Sequence, residues 1–281
     1  MKFIISVTKT LFTNLATLFF YGSYAIGFLI LKLFRQETGT LRNYCLNLWG
    51  KSVCKILSIK VEVIGKIPEP PFFLVSNHLS YADIIIFFSV LKTTFVSKAE
   101  VKNWPMLGIM ARTLEIIFID RRRKSDVARV NQSVADQISE YKGVVLFPEG
   151  TTSSGESLLP FKPSILEHPA KSQMPVHYAY ITYQTGPKDE DAVNSVCWWN
   201  DESFGSHFFK FAENRSIRAR IYFGDESIHR SDRKELAAEL FKKVKALQQQ
   251  NRHRSAKVKA LQQQNRHRSE LKATKEKSVK I

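Results

Sequence analysis

Phe72-Phe73-Leu74-Val75, then Asn77-His78-Leu79-Ser80-Tyr81-Ala82-Asp83, then the run from Ile84 to Leu91 is the stretch on which the fold turns. Four apolar residues in a row are what a strand buried on both faces requires. The run from Ile84 is long enough for a short helix, and the polar heptad between the two is a loop. The same alternation continues along the chain. Lys60–Ile64 alternates as a strand and stops at Gly65 and Pro68, and Leu41–Ser58 before it carries apolar residues near helical period. Thr94–Ser97, Ile116–Ile119, Val144–Phe147, His177–Thr182 and Ile217–Phe223 read as further strands. Ser125 and Asp126 are placed to cap a helix that repeats through Val127, Val130, Val134, Ile138 and Tyr141 and ends at Gly143. Strands alternating with helices predict an α/β domain with a mostly parallel central sheet flanked by helices, over residues 41–241. In such sheets functional groups gather where loops leave the strand ends.

Two loops carry chemistry. On one regular helix His78 and Asp83 would point about 140° apart. They meet only when His78 lies in the loop and Asp83 in the first helical turn. A carboxylate on one imidazole nitrogen fixes the tautomer and leaves the other nitrogen as a base; a helix-capping pair is the alternative reading of the same spacing. The second loop is Phe147-Pro148-Glu149-Gly150-Thr151-Thr152-Ser153-Ser154-Gly155. Gly150 lets backbone N–H groups turn into a cavity, and Thr151 and Thr152 add hydroxyl donors, a turn able to hold an anion. Glu149 would repel a phosphate and is better placed to hold a hydroxyl, or a basic residue that itself holds the phosphate. An ordinary Gly/Ser-rich turn is the alternative. Between the loops, Arg121 follows a strand and could clamp a phosphate bidentately, while Lys98 and Lys162 add positive charge.

With 44% apolar and 12% aromatic residues in 281, the chain has ample material for a core and is not a disordered protein. Most of the net charge of +16 sits beyond Lys242, where Glu270 and Glu276 are the acidic residues. In that segment Lys243–Ser255 recurs unchanged at Lys257–Ser269. The period of 14 is two heptads, but Asn251, Arg254, Asn265 and Arg268 fall on the seam. Residues 242–281 are therefore expected to form a basic helical or disordered tail suited to anionic lipid. Lacking aromatics to stack on bases, the tail does not suit nucleic acid. At the other end, 22 residues between Lys9 and Lys32 carry no charge. Residues 1–40 read as a membrane anchor, either one spanning helix or a helical hairpin bent at Gly22-Ser23 and dipping into one leaflet. Lys32 and Arg35 at its end favour the cytoplasmic side. Cys45, Cys54 and Cys197 have no metal-ligand spacing and leave one cysteine unmatched in any pairing, as expected of reduced, buried thiols. No Gly-x-Ser-x-Gly elbow, Walker loop, dinucleotide fingerprint or zinc spacing is present.

Taken in order, these segments resemble the glycerolipid acyltransferase family that includes 1-acylglycerol-3-phosphate acyltransferases. Asn77–Asp83 is similar to its His-x4-Asp block, Phe118-Ile119-Asp120-Arg121 to its second and Phe147–Thr151 to its third, with Met174-Pro175-Val176 a weak likeness of the fourth. The resemblance covers roughly residues 50–225. It implies an O-acyltransferase in which His78, held by Asp83, deprotonates the free hydroxyl of a lysophospholipid. That oxygen then attacks the thioester of acyl-CoA or an acyl carrier protein. Arg121, Glu149, Gly150 and Thr151 would bind the acceptor's phosphate or polar head, and neither a metal, a cofactor nor an acyl-enzyme is required. The implied acceptor is 1-acylglycerol-3-phosphate, giving phosphatidic acid. One departure bears on it: the common third block has a basic residue where this chain has Thr152. The continuation through Leu159-Pro160-Phe161-Lys162, and the Cys197-Trp198-Trp199 region, are similar to a branch that includes lyso-ornithine-lipid acyltransferases. A non-catalytic membrane-binding protein is the rival of a different class; it would have no use for a base.

Overall fold

The computed structural model describes residues 1–103, 107–119 and 132–254. The chain divides into two units, Met1–Val244 and Lys245–Ile281. The first begins with helices α1 (Lys2–Leu33) and α2 (Gly39–Ile56), then strand β1 (Ile59–Ile64). Strand β2 (Phe73–Ser76), helix α3 (Ala82–Val90) and strand β3 (Thr93–Lys98) follow. After α4 (Leu107–Thr113) and β4 (Ile117–Ile119), residues 132–137 form α5, leading to β5 (Gly143–Leu146). The remainder is α6 (Glu167–Lys171), β6 (Val176–Thr185), α7 (Ala192–Ser195), α8 (Phe204–Ala212) and β7 (Ile217–Phe223). Residues 233–244 are again helical and bury Leu236, Leu240 and Val244. In the second unit residues 245–254 are helical; the rest of the basic tail lies outside the described residues.

The seven strands form one sheet in the order β1-β7-β6-β2-β5-β3-β4. Every neighbouring pair is parallel except β6 and β7. The expected mostly parallel α/β architecture is therefore the observed one. β2 lies in the middle between β6 and β5, and all four of its residues are buried, as its unbroken apolar run requires. Because β2, β3, β4 and β5 run the same way, their C-terminal ends open on one side, and the two loops singled out above leave β2 and β5 there.

Three expectations are revised. The bend at Gly22-Ser23 does not form, and α1 runs unbroken from Lys2 to Leu33. Its polar interruptions are satisfied within the helix: Asn14 Nδ2 donates to Thr10 O at 2.9 Å, Thr17 Oγ1 to Thr13 O at 2.7 Å and Ser23 Oγ to Phe19 O at 2.8 Å. One helical glycine costs about 1 kcal/mol, and α1 offsets it by packing on α2 and α8. Second, α5 ends at residue 137 instead of continuing to Tyr141, because Ser139 and Lys142 exchange backbone hydrogen bonds of 3.0 and 3.2 Å in a turn into β5; its expected cap at Ser125-Asp126 lies outside the described residues. Third, β6 runs to Thr185, three residues beyond its expected end, because its second half pairs with β7 from Ala179 to Thr185.

α2 and α3 approach closely at Gly50. A Cβ there would lie 2.8 Å from both Ile85 O and Ser89 N, backbone atoms that cannot swing aside. Since α3 carries Asp83, this contact sets the height of the site on the sheet. Gly50→Ala should lower the unfolding free energy by about 1–3 kcal/mol, measured as a lower denaturant midpoint at unchanged slope.

Candidate active site

The loop between β2 and α3 is fixed from both sides. Asn77 extends the pairing of β2 with β6 by using its side-chain amide as a surrogate backbone: Nδ2 donates to Ile181 O at 3.0 Å, and Oδ1 accepts from Ile181 N at 2.8 Å. The next residue, His78, leaves the sheet, and Asp83 sits at the second position of α3. This is the loop-plus-first-turn arrangement that the spacing required. His78 Nδ1 and Asp83 Oδ2 are 2.7 Å apart, and the same oxygen accepts from Leu79 N at 2.7 Å and Ser80 N at 3.1 Å. α3 has no side-chain cap, so the helix-capping alternative does not hold; Asp83 instead ties down the loop before the helix and orients the imidazole. Asp83 is fully buried whereas His78 is 17% exposed, so one face of the pair remains open to a substrate. With Nδ1 engaged by the carboxylate, Nε2 is the nitrogen left to take a proton.

Phe147, at the end of β5, lies flat on the His78 ring with centroids 4.0 Å apart and planes 8° from parallel. The following turn brings the second loop against the first. Gly150 N donates to Phe147 O at 3.1 Å, and Ser153 N donates to His78 O at 3.0 Å. Gly150 has φ +75°, in the region that favours glycine. Its Cα faces Lys162, whose Nζ would lie 2.9 Å from an added Cβ. Thr151 is exposed beside it. Thr152 instead turns into the fold, its hydroxyl donating to Trp198 O, while Trp198 N donates to Leu79 O at 2.8 Å. The 197–199 segment is therefore the strap that joins the two loops.

Glu149 is 2% exposed, and neither carboxyl oxygen has a hydrogen bond of good geometry. Burial pushes its pKa up to about 8, against the draw of the nearby His78 and Leu159 backbone amides and the Ser153 hydroxyl; the Asp83 charge adds to the rise. A buried acid without a well-formed partner, next to a candidate base, marks this turn as a candidate binding position. Of the sequence candidates, His78, Asp83, Glu149 and Gly150 come together here. Arg121 falls in residues 120–131, outside the described residues, and the Lys98 side chain is likewise outside them. β4, which Arg121 follows, ends at Ile119 on the same side of the sheet. Among the described residues no group of three His, Cys, Asp or Glu side chains could hold a metal ion. All three cysteines are buried and unpaired, and burial pushes the Cys54 and Cys197 thiols up to about 12.

Two contacts have no counterpart in the sequence reading. Asn77 stood inside the heptad without a role, and its amide was legible only as a polar residue at a strand end. Tyr183, on β6, donates its hydroxyl to the other oxygen of Asp83, Oδ1. It lies beyond the expected end of its strand, and nothing in its local sequence points to Asp83.

The model of the Acyltransferase family matches residues 58–182. A lyso-ornithine lipid O-acyltransferase of Brucella abortus is 29% identical over 216 residues, covering 72% of this chain and 81% of that protein. A 1-acyl-sn-glycerol-3-phosphate acyltransferase of Neisseria gonorrhoeae is 32% identical over 167 residues, 56% of this chain and 66% of that one. The crystal structure of the 1-acyl-sn-glycerophosphate acyltransferase PlsC from Thermotoga maritima superposes with a TM-score of 0.63. At 21% identity it covers 90% of this chain and 98% of its own, so the two share a fold.

The Glu149 environment has a measurable consequence. The unfolded carboxyl ionises near 4.5 and the folded one near 8, so between those values the native state holds the extra proton and stability falls as pH rises. Glu149→Gln cannot ionise and should remove that slope. Its melting temperature should match the parent at about pH 5 and exceed it at about pH 8.5, followed by circular dichroism.

Proposed function

The chain belongs to the glycerolipid acyltransferase family, and on that premise we propose that it transfers a fatty acyl group from a thioester donor to a lysolipid hydroxyl, with His78 as general base. The observation that carries this reading is the 2.7 Å contact between the buried Asp83 and a His78 side chain that remains partly exposed. His78 Nε2 takes the proton of the acceptor hydroxyl as its oxygen attacks the thioester carbonyl of acyl-CoA or acyl carrier protein. Asp83 stabilises the imidazolium that forms. The tetrahedral intermediate expels the thiolate, which recovers the proton from His78, leaving an ester and a free thiol. The scheme asks for no cofactor besides the donor. Glu149, Gly150, Thr151 and Arg121 hold the acceptor's polar head.

The geometry favours a lyso-ornithine lipid as acceptor. Thr152 occupies the position of the family's usual basic residue, and its hydroxyl is spent on Trp198 O. Burial raises the Glu149 pKa to about 8, and the ammonium of an ornithine head would offset that cost by stabilising the carboxylate and giving its oxygens a donor. 1-Acylglycerol-3-phosphate is the second reading, favoured by the similarity to the Neisseria protein and by Lys162 beside Gly150.

Membrane attachment fits α1 lying in one leaflet. One side of α1 is tied to the body from Ser6, whose hydroxyl donates to Phe209 O at 2.6 Å, through Lys9, whose ammonium donates to Asn214 O at 2.6 Å. The contacts continue to Thr17, which accepts from Trp49 Nε1 at 3.0 Å. Its other side exposes Leu11, Phe12, Leu15, Leu18 and Phe19. A helix bound along its flank to a folded body suits an in-plane anchor better than a lone span. Lys32 and Arg35 then set the body on the cytoplasmic face, and the basic tail adds attraction to anionic lipid.

His78→Ala should lower acyl transfer by about 10²–10⁴-fold while vesicle binding persists; full activity would defeat the mechanism. Incubating membranes with labelled acyl-CoA and a lysolipid panel, with products identified by mass spectrometry, should give ornithine lipid as the dominant product. Replacing both Leu15 and Phe19 with glutamate should release the protein into the soluble fraction on sedimentation.

A further inference from the structure

Asp83 is gripped at both oxygens. Oδ2 takes His78 Nδ1 and the amides of Leu79 and Ser80, all of them parts of the loop it organises. Oδ1 takes the Tyr183 hydroxyl, which comes from a different part of the molecule, 100 residues along the chain. Tyr183 stands on β6, an interior strand paired with β7 at Ala219, and its ring belongs to the hydrophobic core. Its phenol is thus carried by the sheet, whereas the other three donors move with the loop.

We propose that Tyr183 is a positioning residue for acyl transfer, which fixes the plane of the Asp83 carboxylate and through it the orientation of the His78 ring. This rests on the reading of His78 as the base. The physical reason is geometric. The Cβ–Cγ bond and the three donors on Oδ2 place the carboxylate, but all three donors move with the loop. The donor on Oδ1 comes from the sheet and resists torsion about Cβ–Cγ when the loop shifts. The lone pair facing His78 Nδ1 then has one direction, and Phe147 stacked on the ring confines the plane it acts in. Burial and the Asp83 charge hold the Tyr183 pKa well above its ordinary value, so the phenol keeps its proton and stays a donor. Tyr183 touches no substrate in this scheme and moves no proton. Asn77 complements it: its amide docks the same loop on Ile181, two residues earlier on β6, so one strand indexes both the start of the loop and the carboxylate behind it.

The test uses the full-length protein in vesicles, with oleoyl-CoA as donor and 1-oleoyl-glycerol-3-phosphate or lyso-ornithine lipid as acceptor, whichever is turned over faster. Tyr183→Phe keeps the ring and removes the hydroxyl. It should lower kcat by roughly ten- to a hundredfold, the rate equivalent of one hydrogen bond to a charged group, with KM for both substrates unchanged. Since an unpaired buried oxygen also destabilises the fold, Val144→Ala on β5 serves as a control, because Val144 is fully buried and pairs with Phe73 at the end of β2 opposite the site. Both variants are assayed well below their melting temperatures. Val144→Ala should lose stability while keeping kcat. The inference is overturned if Tyr183→Phe keeps kcat within about twofold of the parent, if its loss appears in KM, or if Val144→Ala loses kcat equally. His78→Ala, run alongside, separates the two claims. An inactive His78→Ala with a fully active Tyr183→Phe removes the role of Tyr183 alone, whereas an active His78→Ala removes the base and the positioning role together.

Discussion

A carboxylate with no solvent exposure must have its oxygens paired by the protein, or its burial costs more than a fold can supply. Asp83 meets that demand with donors from the loop before α3 and one from β6. The conformation of residues 78–80 follows from it. Two successive amides have to point at one oxygen, which turns the chain sharply and throws the His78 side chain to the open edge of the sheet. The strap at Trp198 and the turn at Gly150 then close around a loop whose shape is already determined.

The body presents this loop at a fixed place. Arg42 on α2 is 2% exposed, and its guanidinium donates to Leu114 O at 2.7 Å and to Thr93 O at 3.2 Å. It thereby ties the helix layer to the start of β3 and to the turn that leads into β4. Gly50 brings α2 against α3 at backbone distance. A change in either contact would tilt α3 and carry Asp83 with it, so residues far from the acyl-transfer chemistry control its geometry.

Much of this was legible because it is local. β7 begins and ends where its alternation does, at Ile217 and Phe223, and β2 and α3 follow from an apolar run on each side of a polar heptad. The His78–Asp83 pair was legible because five residues across a loop-to-helix boundary admit few geometries. What was not legible depends on tertiary pairing. β6 outlasts its apolar pattern because β7 pairs with it, and so Tyr183 was left outside the strand. Gly22-Ser23 looks like a break in isolation, yet the flank of α1 is held by α2 and α8. Thr152 reads as a donor free to face a substrate until Trp198 claims its hydroxyl.

The lone long strand β6 is parallel to β2 through Ala179 and antiparallel to β7 from that residue on. It receives Asn77 and supplies Tyr183 across 104 and 100 residues of chain. Contacts so distant in sequence close late, because the entropy of the intervening loop must be lost before they form. The strand, loop and helix around residues 73–90 are local and can take shape early. The carboxylate among them acquires its full set of donors only when β6 arrives. The last donor to Asp83 therefore arrives with the strand that joins the two halves of the sheet, and assembly of the site reports the completion of the fold.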